Sequence, residues 1–553
     1  MRLSASDFTP VRPPSANFGA VFTRRWVVEL ILDLCGYEVE NDLTRLCAVE
    51  PAVGSGAFFG VMVERLTESR QKHAPDLDWQ DLAGCLQGWD LQIDQVHNCR
   101  EAAVEALVKA GCPAASAWEL ASGWVRSGDF LLAEHNAQTA DLVVGNPPYI
   151  RIEDLDARLL AAYRSACPTM GGRADVYIGF FERGLDLLKP GGKLGFICAD
   201  RWMRNQYGRR LREKIVSGPF AMDASLVMHD TQVFLDEVSA YPAIAVLRRG
   251  AQGPAVLGDA VQSFGADGAA EFADWAHGTG ESLRGVGVTA SRIPAWHSTS
   301  ESWPEGSPAV LAWLEYLAEH CAPLQDERTG TRISIGVATG ADAVFVTKDP
   351  DVAEKERMLP LSMVTDTKSG SFAWSGHYLV NPWDEEGLVD IAHWPRMSRY
   401  LTNHAATLLG RSIARRSGPN WYRTIDRVSM GLTEQPMLLL QDMKAYIHPV
   451  LAPAGFYPHH NLYYLVSEEW DLEALGGLLL SEAVERQVSA YCVKMRGKTM
   501  RFQAQYLRRV RVPELASIPE DVLTELKAAF RERDRVRAST AALKAYGMRA
   551  LPE

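Results

Sequence analysis

The sequence predicts an α/β fold with a parallel sheet over the first 250 residues. Short runs of β-forming residues alternate there with longer amphipathic stretches, the order typical of parallel sheets because helices connect their strands. One apolar run enters a loop of small residues and then a helix, while another stops at two prolines. The rest of the chain is less regular, and we expect a mixed α/β domain with a helical tail there.

Each element of the first part is predicted from its own pattern. Thr23 can cap a first helix, in which apolar residues from Trp26 to Leu34 recur at helical spacing. Further helices are predicted from about Ala57 and between Asp175 and Leu188. The expected strands are Leu46–Val49, Cys85–Trp89, Ala140–Gly145, Lys193–Cys198, Ser225–His229 and Tyr241–Leu247.

A change of composition near residue 250 predicts a domain boundary. Gly, Ala and Asp dominate from Arg249 to about Gly280, which indicates a linker or loosely packed insertion over residues 251–330. Apolar side chains recur at helical spacing near the end, so residues 514–553 are predicted to form a helical tail. Between them, strands are expected at Arg332–Val337, Ala343–Thr347, Met437–Gln441 and Leu462–Val466.

Length and composition are those of an ordinary globular protein. With 553 residues, 47% hydrophobic and 23% charged, the chain has room for two or more domains and is too apolar to be disordered. No apolar run approaches the roughly 18–20 residues of a membrane span, and Met1–Ser4 does not begin a signal peptide, so we expect a cytoplasmic protein. The nine cysteines include no Cys-x-x-Cys pair, and buried free thiols are expected.

Charge is distributed as in an acidic protein with a local basic cluster. The net charge is −12, and each half of the chain carries an excess of six acidic side chains. Whole-chain charge governs solubility, whereas polyanion binding depends on local clusters. The stretch from Arg486 to Pro513 holds eight basic side chains and no acid, so a polyanion contact is expected there.

The strongest local signal is an apolar strand, Asp141–Gly145, that ends in Asn146-Pro147-Pro148-Tyr149. Prolines cannot extend a ladder, so these residues should lie at the carboxyl edge of the sheet, where ligands bind. The Asn146 side-chain oxygen and the Pro147 carbonyl could accept both hydrogens of a planar exocyclic amine. Its nitrogen would then become tetrahedral and free to attack a methyl sulfonium, while Tyr149 stacks on the ring. In isolation the tetrapeptide could equally be a rigid turn.

A second segment, Ala48–Phe58, has the pattern of a strand, a small-residue loop and a helix. Gly54 and Gly56 would let the backbone approach a ligand closely in front of the helix. The segment has neither the Gly-Lys-Ser/Thr of a phosphate-binding loop nor the Gly-x-Gly-x-x-Gly spacing of a dinucleotide fold. Alone, it too could be a structural turn.

Carboxylates follow two further predicted strands. Asp90 comes after Trp89, where it could bind ribose hydroxyls. Asp129 comes after Ser127-Gly128, where it could accept a hydrogen bond from an adenine amino group. Motifs at four strand ends, in this order, are harder to explain as turns than any one of them.

This series resembles the gamma-class N6-adenine DNA methyltransferases of restriction–modification systems. That family has Gly-x-x-Phe/Tyr-Thr-Pro first, then Asp/Glu-Pro-Ala-x-Gly-x-Gly, then Asn-Pro-Pro-Tyr/Phe. The chain matches the first element at Gly19–Arg24, with Arg24 in place of proline, and the second at Glu50–Gly56, with Val53 where cysteine is common. The resemblance covers roughly Gly19 to Pro513 and implies a Rossmann-like, S-adenosylmethionine-dependent methyltransferase domain in residues 1–250.

The resemblance also implies the site residues. Catalysis is expected at Asn146, Pro147, Pro148 and Tyr149. S-adenosylmethionine is expected to contact Thr23, Glu50, Pro51, Ala52, Gly54, Gly56, Asp90, Asp129 and Phe130. Phe234 is expected to place a second ring against the flipped adenine beside Tyr149, with core packing as the alternative.

Similarity to the family's DNA target-recognition domain is seen at Ile335–Phe345, Arg415–Arg423 and Gly497–Arg511, so residues 331–513 are interpreted as that domain. Binding of this domain to double-stranded DNA should offset the free energy needed to extrude the adenine, which is on the order of a few kcal/mol. Phosphate contacts would make binding strongly salt-dependent, and a solvated basic face is the alternative. The expected DNA-binding residues are Arg415, Arg416, Lys494, Arg496, Lys498, Arg501, Arg508 and Arg509.

Other interpretations stay open. Methyltransferases that act on protein glutamine or RNA guanine also use Asn-Pro-Pro-Tyr, although they are usually much shorter after the motif. A non-catalytic DNA-binding subunit of a defence complex would transfer no methyl group. A separately encoded restriction endonuclease or defence-complex subunits could be partners, since the residues before Gly19 leave no room for a nuclease. His459-His460 is interpreted as a loop pair without a carboxylate partner, and no metal is expected.

Overall fold

The computed structural model describes residues 23–235, 241–492, 494–495 and 499–552, and for 494, 495 and 499 it describes the backbone alone. It divides the chain into unit 1, Met1–Pro308, and unit 2, Ala309–Glu553. Three parts of the expected sites therefore lie outside the described residues: the Gly19–Phe22 part of the first motif, the Lys494 side chain, and Arg496 with Lys498.

Unit 1 is built on one large sheet. Its described strands are ordered β3-β2-β1-β4-β5-β7-β6-β8-β10-β9. The strands β1 to β5 are mutually parallel, whereas β7 is antiparallel to both of its neighbours. The strands are β1 (Ala48–Glu50), β2 (Leu86–Asp90), β3 (Val125–Ser127), β4 (Ala140–Gly145), β5 (Leu188–Ala199), β6 (Phe220–Val227), β7 (Pro242–Arg249), β8 (Ala255–Ala260), β9 (Ser282–Gly285) and β10 (Val288–Ile293).

Helices connect these strands and bury their apolar faces on the sheet, which confirms the predicted α/β class. The first helix buries Val27, Ile31 and Leu34 and ends at Gly36, whose backbone is left-handed. Its N-cap is Arg24 rather than the predicted Thr23. The helices are α1 (Arg25–Cys35), α2 (Ala57–His73), α3 (Ile93–Lys109), α4 (Ala114–Trp124), α5 (Ala157–Ala166), α6 (Tyr177–Leu187), α7 (Arg201–Arg204), α8 (Arg209–Ser217) and α9 (Ala266–His277).

The segment after residue 250 differs from the linker that its composition predicted. The strands β8, β10 and β9 extend the sheet beyond β6, and α9 packs with them through Phe272. Their small side chains, such as Ala260 and Ala290, are buried against this helix and Phe264. The Ala- and Gly-rich composition therefore reflects close packing, and the division between the two units falls after Pro308.

Unit 2 contains smaller sheets of short strands. Their described orders are β12-β20-β16-β18, β13-β15-β14-β19, β17-β22-β21 and β11-β23. The strands are β11 (Ala322–Pro323), β12 (Arg332–Ile335), β13 (Val346–Thr347), β14 (Met358–Ser362), β15 (Tyr378–Val380), β16 (Met437–Gln441), β17 (Met443–Lys444), β18 (Val450–Ala452), β19 (Tyr457–Pro458), β20 (Leu462–Val466), β21 (Lys494–Met495), β22 (Thr499–Arg501) and β23 (Arg511–Val512).

The helices of unit 2 include the predicted tail. In the tail, α18 buries Val522, Leu526 and Phe530 in the same core as α15. The strand predicted at Ala343–Thr347 is instead mostly the short helix α11, followed by β13. The helices are α10 (Pro308–His320), α11 (Asp342–Phe345), α12 (Pro395–Asn403), α13 (Ala405–Leu409), α14 (Ser412–Ser417), α15 (Leu472–Leu480), α16 (Glu482–Tyr491), α17 (Ala504–Leu507), α18 (Glu520–Glu532) and α19 (Arg535–Ala545). Within the described ranges, no helix has the length and apolarity needed to cross a membrane.

Candidate active site

A cleft opens in unit 1 at the carboxyl ends of β1, β2 and β4, with a cavity of about 970 Å³ that includes the space at its mouth. Parallel pairing brings these strand ends to one edge, although they are far apart in the chain. The predicted site residues that line the cleft are Thr23, Glu50, Pro51, Ala52, Gly54, Asp90, Asp129, Phe130, Asn146 and Pro148.

The loop after β1 takes a shape that favours glycine. Both Gly54 and Gly56 have left-handed backbones, with φ of 51° and 94°. Gly56 is the N-cap of α2, and a side chain there would also lie 3.3 Å from the Cys99 backbone. The start of α2 consequently faces the cleft through Ala57 and Phe58.

Asp90, at the end of β2, holds this loop in place. Its carboxylate accepts hydrogen bonds from the Gly54 N–H at 3.0 Å and from the Gln92 N–H at 2.8 Å, one on each oxygen. Burial raises the pKa of Asp90, and the backbone donors act against that rise. Because a carboxylate oxygen accepts more than one hydrogen bond, both oxygens can still receive hydroxyl donors from a ligand.

Glu50 presents a buried acid to the same cleft. Only 2% of the residue is exposed, and its Oε2 atom has no hydrogen-bond partner among the described residues. Burial and the nearby negative charge of Asp90 raise the pKa of Glu50 well above its ordinary value. A cationic donor in the cleft would satisfy this oxygen and favour the ionised carboxylate.

Asp129 and Phe130 follow β3 on the far side of the cleft. The Asp129 carboxylate accepts a hydrogen bond from the Tyr163 hydroxyl at 2.8 Å and another from the Leu131 N–H at 2.9 Å. Burial raises the pKa of Asp129. The Phe130 ring is stacked on Phe180 with centroids 5.7 Å apart, which fixes an apolar wall next to the carboxylate.

Asn146 is tied to the first described residue of the chain. Its Nδ2 donates a hydrogen bond to Thr23 Oγ1 at 3.2 Å. Thr23 also forms an antiparallel bridge with Phe234. Arg24, at the family's proline position, donates its backbone N–H to the Val233 carbonyl at 3.0 Å and its Nε to the Phe234 carbonyl at 3.2 Å. Proline could make neither bond, so the exchange for arginine strengthens this connection.

Tyr149 and Phe234 meet beside Asn146. Their ring centroids are 6.2 Å apart and the planes are nearly perpendicular, so the rings touch edge to face. Phe234 is buried in the core of unit 1, as the packing alternative expected, while Tyr149 is half-buried. The Tyr149 hydroxyl has no hydrogen-bond partner among the described atoms, and burial raises its pKa.

Sequence reasoning missed the residues that helices and loops contribute to the cleft. Strand-end motifs do not reveal Tyr163 and Phe180, because Tyr163 lies on α5 and Phe180 lies on α6. The helical periodicity after Asp175 could have placed Phe180 on the buried face of a helix. No local pattern in the sequence predicts the contact between Tyr163 and Asp129. The other missed residues that line the cleft are Val53, Ser55, Ala57, Phe58, Leu91, Gln92, Gln95, Gly128, Ile150 and Val176.

In unit 2, the arginines expected to bind DNA are of two kinds. Arg415 and Arg416 lie exposed on α14. Arg501 forms an ion pair with Asp442, which the local sequence did not reveal. Arg508 donates to the Gln325 side-chain oxygen at 2.9 Å and to the Ile333 carbonyl at 2.7 Å.

Arg509 lies with its guanidinium 5.5 Å from the centre of the Tyr491 ring, a cation–π contact within unit 2. Arginines of the basic stretch Arg486–Pro513 therefore make some of their contacts within unit 2.

The histidine pair of unit 2 does have a carboxylate partner. Asp342 Oδ2 lies 3.0 Å from His459 Nε2 and 4.0 Å from His460 Nδ1. The expectation that no carboxylate lies near the pair is therefore wrong, because Asp342 is more than one hundred residues away in the sequence.

Comparison with known proteins identifies the family. An Eco57I restriction-modification methylase model matches residues 90–220. The chain is 39% identical to the Type II methyltransferase M.PaeR7I of Pseudomonas aeruginosa, over 96% of this chain and 92% of that protein. It is also 39% identical to the Type II methyltransferase M.XhoI of Xanthomonas vasicola, over 96% of this chain and 97% of that protein. The chain therefore belongs to the Type II methyltransferases of restriction–modification systems.

A solved structure shares the fold at low sequence identity. The Type IIL restriction-modification enzyme MmeI, in complex with DNA, superposes with a TM-score of 0.61 at 11% identity. The match covers 95% of this chain and 74% of the MmeI chain. At this identity the match shows that the two chains share a fold.

We predict that Glu50→Gln raises the melting temperature of the ligand-free protein at pH 8. A carboxyl group whose pKa is higher in the folded chain than in the unfolded chain stabilises the fold at pH values below its unfolded pKa, which is about 4.3 for glutamate. This stabilisation is lost as the pH rises through the pKa of the folded state. The gain should be a few degrees, since about 1 kcal/mol moves the melting temperature of a domain of this size by about 2–4 °C. It should shrink towards pH 5, as measured by scanning calorimetry.

The exposed Glu68 on α2 offers a matched control. Glu68→Gln should leave the melting temperature nearly unchanged at both pH values. A gain for Glu50→Gln that is equal at pH 5 and pH 8 would contradict the assigned burial effect.

Proposed function

We propose that the protein transfers a methyl group from S-adenosylmethionine to the N6 amino group of an adenine flipped out of double-stranded DNA. The proposal rests on the cleft of unit 1, where Asn146 faces the same cavity as Glu50 and Asp90. The Asn146 side-chain oxygen and the Pro147 carbonyl can accept hydrogen bonds from a planar amine. The carboxylates of Glu50 and Asp90 can accept hydrogen bonds from a cationic ligand with sugar hydroxyls. Membership of a methyltransferase family agrees with both features.

The residues of the cleft fit S-adenosylmethionine, which supplies an electrophilic methyl group on a sulfonium. The unsatisfied Glu50 Oε2 can accept from its ammonium group, and Asp90 can accept from the ribose hydroxyls. Asp129 can accept from the adenine amino group, while Phe130 contributes the apolar wall.

Asn146 and Pro147 would act on the target amine. The hydrogen bond to Thr23 engages the Asn146 amide nitrogen, which fixes the rotation of the side chain about its terminal bond. The side-chain oxygen and the Pro147 carbonyl can then accept the two amino hydrogens and draw the nitrogen towards a tetrahedral shape. In a direct displacement, the amino nitrogen would bond to the methyl carbon as the carbon–sulfur bond of the sulfonium breaks, and the nitrogen would release one proton to solvent. Proximity would supply much of the rate.

Tyr149 would stack on the extruded adenine, at about 1–3 kcal/mol if it behaves as other base–aromatic contacts do. In the ligand-free arrangement its ring meets Phe234 edge to face. A base that enters the cleft can replace part of that contact with stacking on Tyr149, with Phe234 behind it.

Double-stranded DNA is the proposed substrate, and unit 2 is proposed to recognise it. Arg415 and Arg416 are the best candidates for phosphate contacts, because they are exposed on one short helix. Arg501 would be a weaker contributor, because its guanidinium pairs with Asp442. A separately encoded restriction endonuclease is the proposed partner, as in a restriction–modification system.

Asn146→Ala should lower methyl transfer to DNA by about 100- to 1000-fold, the scale for loss of one preorganised polar group. Binding of S-adenosylmethionine, measured by calorimetry, should be nearly unchanged because Asn146 acts on the amine. Transfer is followed with radiolabelled S-adenosylmethionine, and the product nucleoside is identified by mass spectrometry. N6-methyl-2′-deoxyadenosine is the expected product.

The exposed Asn98 on α3 provides the control, and Asn98→Ala should retain full activity. Comparable turnover by Asn146→Ala would refute the catalytic assignment. Label found in protein or RNA, with none in DNA, would refute the proposed substrate.

Replacement of Arg415 and Arg416 by glutamate should weaken DNA binding for all sequences alike. The slope of log K against log salt concentration should become shallower by about 0.9 for each phosphate that the protein no longer neutralises. Fluorescence anisotropy at several salt concentrations measures both effects. Replacement of the exposed Lys544 and Arg549 by glutamate makes the same charge change and should leave the slope unchanged. Equal slopes for both double variants would show that Arg415 and Arg416 do not contact DNA phosphates.

A further inference from the structure

Three potential metal ligands meet within unit 2. Asp342 begins α11, and His459 and His460 follow β19 directly. One ligand atom from each residue lies within 4.8 Å of the others. Two imidazoles and one carboxylate are a typical donor set for zinc and neighbouring divalent transition metals.

The spacing of these atoms is close to that of a bound ion. Zinc binds imidazole nitrogen and carboxylate oxygen at about 2.0–2.2 Å, so tetrahedral ligands lie about 3.4 Å from one another. The distances from Asp342 Oδ2 are 3.0 Å to His459 Nε2 and 4.0 Å to His460 Nδ1, on either side of that value. Small side-chain rotations would therefore give the coordination geometry.

One ligand atom lacks any other partner. The Nδ1 atom of His460 is buried and has no hydrogen-bond partner among the described residues, although it faces the Asp342 carboxylate. An unsatisfied buried nitrogen is costly, and a metal ion would satisfy it. The edges of the cluster reach solvent, since the His460 side chain is 36% exposed and that of Asp342 is 45% exposed.

The surrounding contacts hold the ligands in position. Thr339 donates its hydroxyl hydrogen to the second oxygen of Asp342. The backbone N–H groups of His459 and His460 donate to the Ser362 and Val337 carbonyls at 3.0 and 3.1 Å. Such second contacts orient metal ligands in proteins and make a site ready before the ion binds.

We propose that Asp342, His459 and His460 bind one divalent transition-metal ion, for which zinc is the best match. The fourth position is open to water at the exposed side of the cluster. The ion would join the segment that begins α11 to the segment between β19 and β20, and so stabilise unit 2. None of these three residues lines the cleft of unit 1, and we assign the ion a structural role within unit 2.

The test uses the full-length protein, freed of metal with a chelator and then titrated with cobalt(II). A tetrahedral nitrogen and oxygen site gives visible absorption without the near-ultraviolet band of a cobalt–thiolate bond, which excludes the nine cysteines as ligands. We expect saturation at one ion per chain, displacement of cobalt by zinc, and a higher melting temperature with either ion.

Asp342→Asn and His460→Ala should each weaken cobalt binding at least about tenfold and remove the rise in melting temperature. Both side chains are partly exposed, so the variants should fold, and unchanged circular dichroism checks this. His393→Ala, which removes an exposed histidine of the same unit, should bind as the parent does. No binding by the parent, or binding that both variants retain, would overturn the proposal and leave an ordinary Asp–His hydrogen bond.

Discussion

The parallel pairing of β1 with β2 and β4 is the constraint on which the cleft depends. Because the strands point the same way, the residues that follow them must meet at one edge of the sheet. Glu50, Asp90 and Asn146 therefore share a cavity although nearly one hundred residues separate the first from the last. The hydrogen bond from Gly54 to Asp90 then fixes the loop of one strand against the end of the next.

A buried ionic cluster joins the end of β5 to the segment that precedes Phe234. Asp200, directly after β5, pairs with Arg204 and lies 2.7 Å from His229, while Arg204 also pairs with Glu305. Burial alone would raise the pKa of Asp200, but the charges of Arg204 and His229 hold it below its ordinary value. Removal of one member would leave buried charges unpaired, which is more damaging than replacement of the whole cluster by apolar residues. The segment that carries Phe234 is thereby anchored a few residues before that ring.

The sequence was most informative where local chemistry and strand order coincide. The strands β4, β16 and β20 have the predicted bounds. Asn146 and the acids at the strand ends share one cleft, because an apolar strand that stops at polar residues has few other arrangements. Composition was misleading after residue 250, since small residues that pack closely resemble a linker when only hydrophobicity is considered. The pairing of Asp342 with His459 and of Asp442 with Arg501 was also beyond local patterns, because only tertiary folding brings them together.

The bridge between Thr23 and Phe234 has a consequence for how the protein is made. On the ribosome, Glu50, Asp90 and Asn146 are synthesised long before Phe234. The acidic side of the cleft can therefore form before Thr23 makes its bridge with Phe234. Domains generally fold as units during translation, with the N-terminal part first. The contact between Thr23 and Phe234 therefore forms only after the second half of unit 1 has left the ribosome, and a translation product that ends before Phe234 lacks this contact.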